Sequence, residues 1–136
     1  MHLLALILAG LLQAGPTPLD TIARESMSQV AEPRQSTART AAEWATLWRQ
    51  HAGDQPAPRV DFAVNTVLAV FLGARPSAGY AVEITGIRAE GTGLVVLWSE
   101  RRPQGDLVTA QVLTSPAHIV AVPKVAGTIR FEKAGK

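Results

Sequence analysis

The chain has 136 residues, 47% of them hydrophobic, which suits one domain with an ordinary core. A net charge of +2 is too small to imply a polyanion, and the basic residues form no stripe interleaved with aromatics, so no nucleic-acid partner is expected. The absence of cysteine excludes disulfides, thiolate metal sites, a cysteine nucleophile and lipidation at an N-terminal lipobox, so an exported form would be held by its core alone.

Residues 3–12 are an almost unbroken apolar run, too short to span a bilayer, followed by Gln13-Ala14-Gly15-Pro16. Residues 1–15 resemble a signal peptide with a cleavage site near Ala14 or Gly15. A buried first strand, or a start that trims a longer signal, are the alternatives, because the run is short and only His2 precedes it. Residues 19–136 then form one domain. Residues 19–25 alternate loosely and predict a first strand, 26–29 a turn, and 35–40 a second strand at a sheet edge.

Thr40-Ala41-Ala42-Glu43 is a capping box, predicting a helix to about His51 with Gly53 as its stop. Trp44, Leu47, Trp48 and His51 fall on one face of that helix, which reads as a plug against a sheet. After a connector stiffened by Pro56 and Pro58, Val60-Asp61-Phe62 leads in and Asn65-Thr66 reads as a turn. Residues 67–72 are apolar at every position, as in a central strand buried on both faces.

A loop carrying Gly73, Arg75, Pro76, Ser77 and Gly79 follows, and alternation resumes at Tyr80. The phase slips at Gly86, which predicts a β-bulge. Gly91-Thr92-Gly93 reads as a hairpin turn, 94–100 as a strand, and 101–106 as an exposed loop with Arg101 and Arg102. Further strands are expected at 107–115, bent at Pro116, at 119–122 and at 128–132. The fold class is mainly β: an antiparallel β-sandwich or partly open barrel of about six to seven strands, with one packed α-helix.

No catalytic constellation is legible. Ser77 lacks the glycine two residues upstream that a nucleophile elbow uses, and pairing it with His118 would need a tertiary contact. His2, His51 and His118 are too dispersed for a zinc motif, and Glu83 and Glu90, at odd separation, point to opposite faces unless the bulge intervenes. No cofactor, no metal and no enzymatic activity are expected. What remains is the loop at 73–79, shaped by two glycines and a proline, with a planar cation at Arg75 and an amphipathic ring at Tyr80. It reads either as a bare strand connection or as a protein-recognition loop, rigid and so cheap to order on binding.

Glu43-Trp44-Ala45-Thr46-Leu47-Trp48, Val60-Asp61-Phe62, Gly73-Ala74-Arg75-Pro76-Ser77-Ala78-Gly79-Tyr80, and Thr114-Ser115-Pro116-Ala117-His118-Ile119 running to Val122-Pro123-Lys124 stand in that order. Over about residues 40–124 the chain resembles the C-terminal domain of the protease complex subunit PrcB family. Ser77-Ala78 stands where that family commonly has Thr-Gly. The resemblance implies a secreted or periplasmic bacterial envelope protein, without stable membrane span after signal cleavage, whose partner is a protein such as a secreted or envelope protease. Arg75, Pro76, Ser77, Gly79, Tyr80, Arg101 and Arg102 are the expected partner-binding residues, with Arg75 and Tyr80 exposed. Pro76-Ser77-Ala78-Gly79-Tyr80 is also similar to the Pro-Thr-Thr-Gly-Tyr loop of chagasin-type cysteine-protease inhibitors, which makes inhibition an alternative; Arg102-Pro103 is followed by Gln104 where those inhibitors carry an aromatic. An envelope structural protein without a specific ligand is a further alternative.

Overall fold

The computed structural model describes residues 19–105 and 110–135. The signal-like segment, residues 1–15, lies outside them. The elements are β1 (Asp20–Glu25), β2 (Arg34–Ala38), α1 (Ala41–Ala52), β3 (Asn65–Phe71), β4 (Ala81–Glu90), β5 (Gly93–Arg101), β6 (Ala117–Pro123) and β7 (Ile129–Lys133). The described strands form two sheets, one ordered β1-β6-β3-β2 and one ordered β4-β5-β7. Among the described residues the architecture is a β-sandwich with no closed barrel.

The first sheet is the middle of three layers. On one face Val67, Ala69, Phe71 and Ile119 pack against Trp44, Leu47 and Trp48 of α1. On the other, Leu68, Val70, Leu72, Val120 and Val122 pack against Val82, Ile84, Val96 and Trp98 of the second sheet. β3 is therefore apolar at successive positions because both its faces are covered. The helix starts where the sequence predicts, with Thr40 Oγ1 accepting from the Glu43 N–H at 3.1 Å. The returning half of the box differs: Glu43 Oε1 accepts from the Arg39 N–H at 2.7 Å rather than from Thr40. Both indole N–H groups donate to the following connector, Trp44 to the Pro58 carbonyl at 2.9 Å and Trp48 to the Gln55 carbonyl at 2.8 Å. The Trp stripe thus fills the core and folds the connector back over the helix.

Two β-bulges set which side chains share a face. In β4 the register steps between Ile84 and Gly86, as the phase slip predicts. The extra residue brings Glu83 and Glu90 to one face, but each has its own arginine: Glu83 pairs with Arg24 and Arg101, Glu90 with Arg130. In β1 a step between Thr21 and Ala23 places Thr21 and Arg24 together over β6. On the outer face of the second sheet Val95 is fully buried between its register neighbours Arg88 and Arg130.

Three expectations are corrected. Asn65-Thr66 opens β3; the turn is at Asp61, whose carbonyl accepts from the Val64 and Asn65 N–H groups. Residues 110–115 form no strand, only isolated bridges at Thr114 and Ser115, and 106–109 lie outside the described residues. The sheets are not wholly antiparallel, since β7 runs parallel to β5. The short link between β6 and β7 crosses from the first sheet to the second. It is docked on the turn between β4 and β5 by Gly127 N–H to the Thr92 carbonyl and Leu94 N–H to the Thr128 carbonyl.

Leu68 is fully buried between the sheets, so Leu68→Ala is expected to cost about 2–5 kcal/mol in urea unfolding. Val64→Ala, at an exposed position, is expected to change stability by no more than about 0.5 kcal/mol.

Candidate functional site

The loop between β3 and β4 is built by its neighbours. Leu72 N–H donates to the Pro116 carbonyl, Ala74 N–H to Ala31, and Ala78 N–H to Ala110. Arg75 and Thr114 exchange both main-chain bonds, at 2.7 and 2.9 Å. Thr114 Oγ1 donates to the Ser77 carbonyl at 3.0 Å. Gly73 (φ 84°) and Gly79 (φ 96°) take left-handed backbone, and a Cβ on Gly73 would lie 2.7 Å from the Pro33 nitrogen. Two segments, residues 31–33 and 110–116, thus hold this loop in one shape.

The side chains divide. Pro76 and Gly79 are exposed, whereas Ser77 is buried and its hydroxyl donates to the Ala78 carbonyl. Arg75 is not freely exposed: 24% of its side chain is accessible, and its Nε donates to Glu100 Oε2 at 3.0 Å. Tyr80 is half-buried against the inter-sheet core, with the Arg75 guanidinium carbon 5.9 Å from its ring centroid. The expectation that both would stand exposed is therefore corrected.

Glu100 organises the group, although nothing local marks it, since it stands near the end of an apolar strand as one ordinary acid among several. Its side chain is 4% accessible and meets Arg75, Lys133 Nζ at 3.3 Å and Arg102 Nε at 3.8 Å. Burial pushes the Glu100 carboxyl up, but hydrogen bonds and charge from Arg75 and Lys133 outweigh it and hold the group below the ordinary carboxylate range. Arg75, Lys133 and Arg102 thus share one carboxylate, and Tyr80 joins them only through Arg75. Arg101, next along β5, points to the opposite face, where its Nη2 is 4.0 Å from Glu83.

His118 lies on the face of β6 that meets the second sheet. Its Nδ1 accepts from the Ile84 N–H of β4 at 2.9 Å, so Nδ1 is unprotonated and the ring proton is on Nε2, donated to Thr21 Oγ1 at 2.9 Å. The ring therefore ties three strands and both sheets. Burial, then the charge of Arg24, lowers its pKa to about 4, against an opposing effect of Glu83. His51 is also buried, with Nδ1 2.8 Å from Ser28 Oγ and Nε2 3.3 Å from Glu25 Oε1. Ser28 Oγ in turn accepts from the Val30 N–H at 3.1 Å. The Ser28–His51 bond ties α1 to the segment after β1, while Nε2 makes no hydrogen bond and stands beside the Glu25 carboxylate. Among the described residues no group of three or more histidines and acids is placed to hold a metal ion.

The loop, its carboxylate hub and His118 all fall within one stretch of chain. Residues 66–123 match the PrcB C-terminal family model. The resemblance read from the sequence is thereby shown over β3 to β6. The PrcB match leaves out the Glu43–Trp48 helix motif and Val60-Asp61-Phe62, although both pack on the matched part. No curated protein and no solved structure matches the chain.

His118 is neutral in the folded protein and titrates near 6.5 once unfolded, so its contribution is complete above pH 6.5 and is lost as pH falls toward 4. Unfolding free energy is expected to drop by roughly 3 kcal/mol across that window. His118→Asn keeps an acceptor near the Ile84 N–H and should flatten the slope, as read by urea melts between pH 4 and 7.

Proposed function

We propose that the chain is a non-catalytic, exported protein-binding domain that associates with a secreted or envelope protease. The observation that carries this reading is the loop at 73–80: its backbone is fixed by bonds to residues 31, 110, 114 and 116, and it carries Arg75 stacked on Tyr80. A surface already ordered loses little entropy on docking, and Arg and Tyr are the residue types that dominate interface energies. Exposed Pro76 and Arg102 flank that pair. The match to the PrcB C-terminal family supports a protease-complex setting. Export rests on the signal-like residues 1–15. Among the described residues no helix is long and apolar enough to cross a membrane. Catalysis is not assigned, because Ser77 is buried with its hydroxyl on a carbonyl and both His51 and His118 are enclosed in the core.

A photo-crosslinking amino acid placed at 76 or 102 in the native host is expected to capture a protease, whereas one at Arg49 on the exposed side of α1 is not. Arg75→Ala combined with Tyr80→Ala should lower the crosslink yield by about tenfold or more. Equal yield from the double variant, or equal capture from position 49, overturns the reading.

A further inference from the structure

Among the described residues four strands end the two sheets, β1 and β2 the first, β4 and β7 the second. An open edge leaves main-chain N–H and C=O groups unpaired, and folded proteins guard such edges with charge or cover. β1 carries Asp20, Arg24 and Glu25, and β7 carries Arg130, Glu132 and Lys133. On β4, Val82 is buried and the Ile84 N–H is spent on His118. β2 differs: Gln35, Ser36 and Thr37 are three uncharged residues in a row, none of them buried.

The register says which main-chain groups of β2 are free. Leu72 N–H donates to the Pro116 carbonyl, one step beyond the Phe71–Ala117 pair. Bonded pairs alternate along an antiparallel ladder, so Leu68, Val70 and Leu72 bond toward β6, and Val67, Ala69 and Phe71 bond toward β2. Their partners Ala38, Ser36 and Arg34 are thereby used. Gln35 and Thr37 are left with N–H and C=O groups pointing away from the sheet.

A groove runs along this edge. α1 packs on the face of the sheet through Trp44, Leu47 and Trp48, and leaves a cavity of about 260 Å³ between Ser36 and Thr37 on β2 and Thr46, Leu47 and Gln50 on the helix. Gln50 also lines a second cavity, of about 380 Å³, that reaches Ala31, Glu32 and Arg34. There Arg34 Nε is buried and finds no acceptor in the protein, with its guanidinium carbon 5.5 Å from the Phe71 ring centroid. A buried donor without a partner is costly, and a peptide carbonyl would satisfy it. Glu32 lines the same cavity and balances Arg34, and the Glu43 carboxylate is engaged by the Arg39 N–H, so nothing here selects a charged occupant. The groove ends against the 73–80 loop, where Ala74 N–H donates to the Ala31 carbonyl and Gly73 abuts Pro33.

We propose that β2 takes an extended, uncharged segment of the protein partner as a fifth strand of the first sheet, bonded to Gln35 and Thr37, with alternate apolar side chains against Leu47 and a carbonyl on Arg34 Nε. This rests on the protein-binding reading and adds to it how the partner is gripped, since the added strand continues the loop surface along the sheet edge.

The test is an NMR titration of the isotope-labelled protein with acetyl-Thr-Val-Thr-Val-Thr-amide and with the same peptide N-methylated at every residue. The first peptide is expected to give saturable shifts over 34–38 and to slow hydrogen exchange at the Gln35 and Thr37 amides. The N-methylated form cannot donate to the Gln35 and Thr37 carbonyls and should bind about tenfold more weakly or worse. Thr37→Pro removes an outward N–H and spares the ladder, so it should weaken binding by a similar factor, with unchanged core resonances showing that it folds. Arg34→Met keeps the side-chain stem and should weaken binding severalfold. No saturable shift at millimolar peptide, equal binding of the N-methylated form, or unchanged exchange at Gln35 and Thr37 overturns the proposal. Shifts at this edge that grow with protein concentration alone would give it to a second copy of the chain and overturn it too. Protease crosslinking from 76 and 102 that survives Thr37→Pro and Arg34→Met would reject the edge while leaving the protease reading intact; peptide binding at β2 without protease capture would do the reverse.

Discussion

Covering β3 and β6 on both faces is the constraint from which the rest of the molecule follows. A strand with helix on one side and sheet on the other has no solvated face for polar side chains. Every polar group that these strands carry must then find an internal partner, and those partners are the long-range ties of the fold. Thr66 accepts from the Val125 N–H, and His118 reaches across to Ile84 and Thr21. The imidazole is held neutral by the same burial that makes its bonds valuable. One side chain thus joins the two sheets at the corner where their edge strands meet.

That corner also adjoins the candidate binding surface. The β4 edge is turned toward β1 by the His118 bond, and the bulge in β1 brings Arg24 beside Glu83. On the other face of β5, Glu100 collects three cations at one end of the strand. Its carboxylate is buried and still charged, which is tolerable only because Arg75 and Lys133 hydrogen-bond to it. Arg75 is consequently a positioned group lying over Tyr80 and not a free surface cation. For recognition this is an advantage, since a side chain already immobilised loses less entropy when a partner arrives.

Much of the fold is legible because its signals are local. Thr40 and Glu43 announce the helix start, the Trp44-Leu47-Trp48-His51 spacing its buried face, and the phase slip at Gly86 the bulge. The loop at 73–79 is recognisable from its glycines and proline, and both glycines take positive φ. The misreadings share one cause. Residues 107–115 have the composition of a strand, but 110–115 pair with loops and not with a sheet edge. The parallel pairing of β7 was hidden because a short link says nothing about which sheet the next strand joins. Glu100, Glu25 and Ser28 carry no local mark, since their importance comes from neighbours 20 or more residues away.

The amino-acid sequence by itself determined the class, the helix, the buried run of β3 and the shaped loop, because propensity, periodicity and turn chemistry act over a few residues. It also carried the family resemblance, which rests on the same short motifs. Only the tertiary structure decided that Arg75 is anchored to a buried carboxylate, that Ser77 faces inward, that Arg101 and Arg102 diverge, and that Arg24 joins Arg101 at Glu83. These are consequences of sheet order and strand register, and a one-residue step in either bulge would have sent the same side chains to the opposite face.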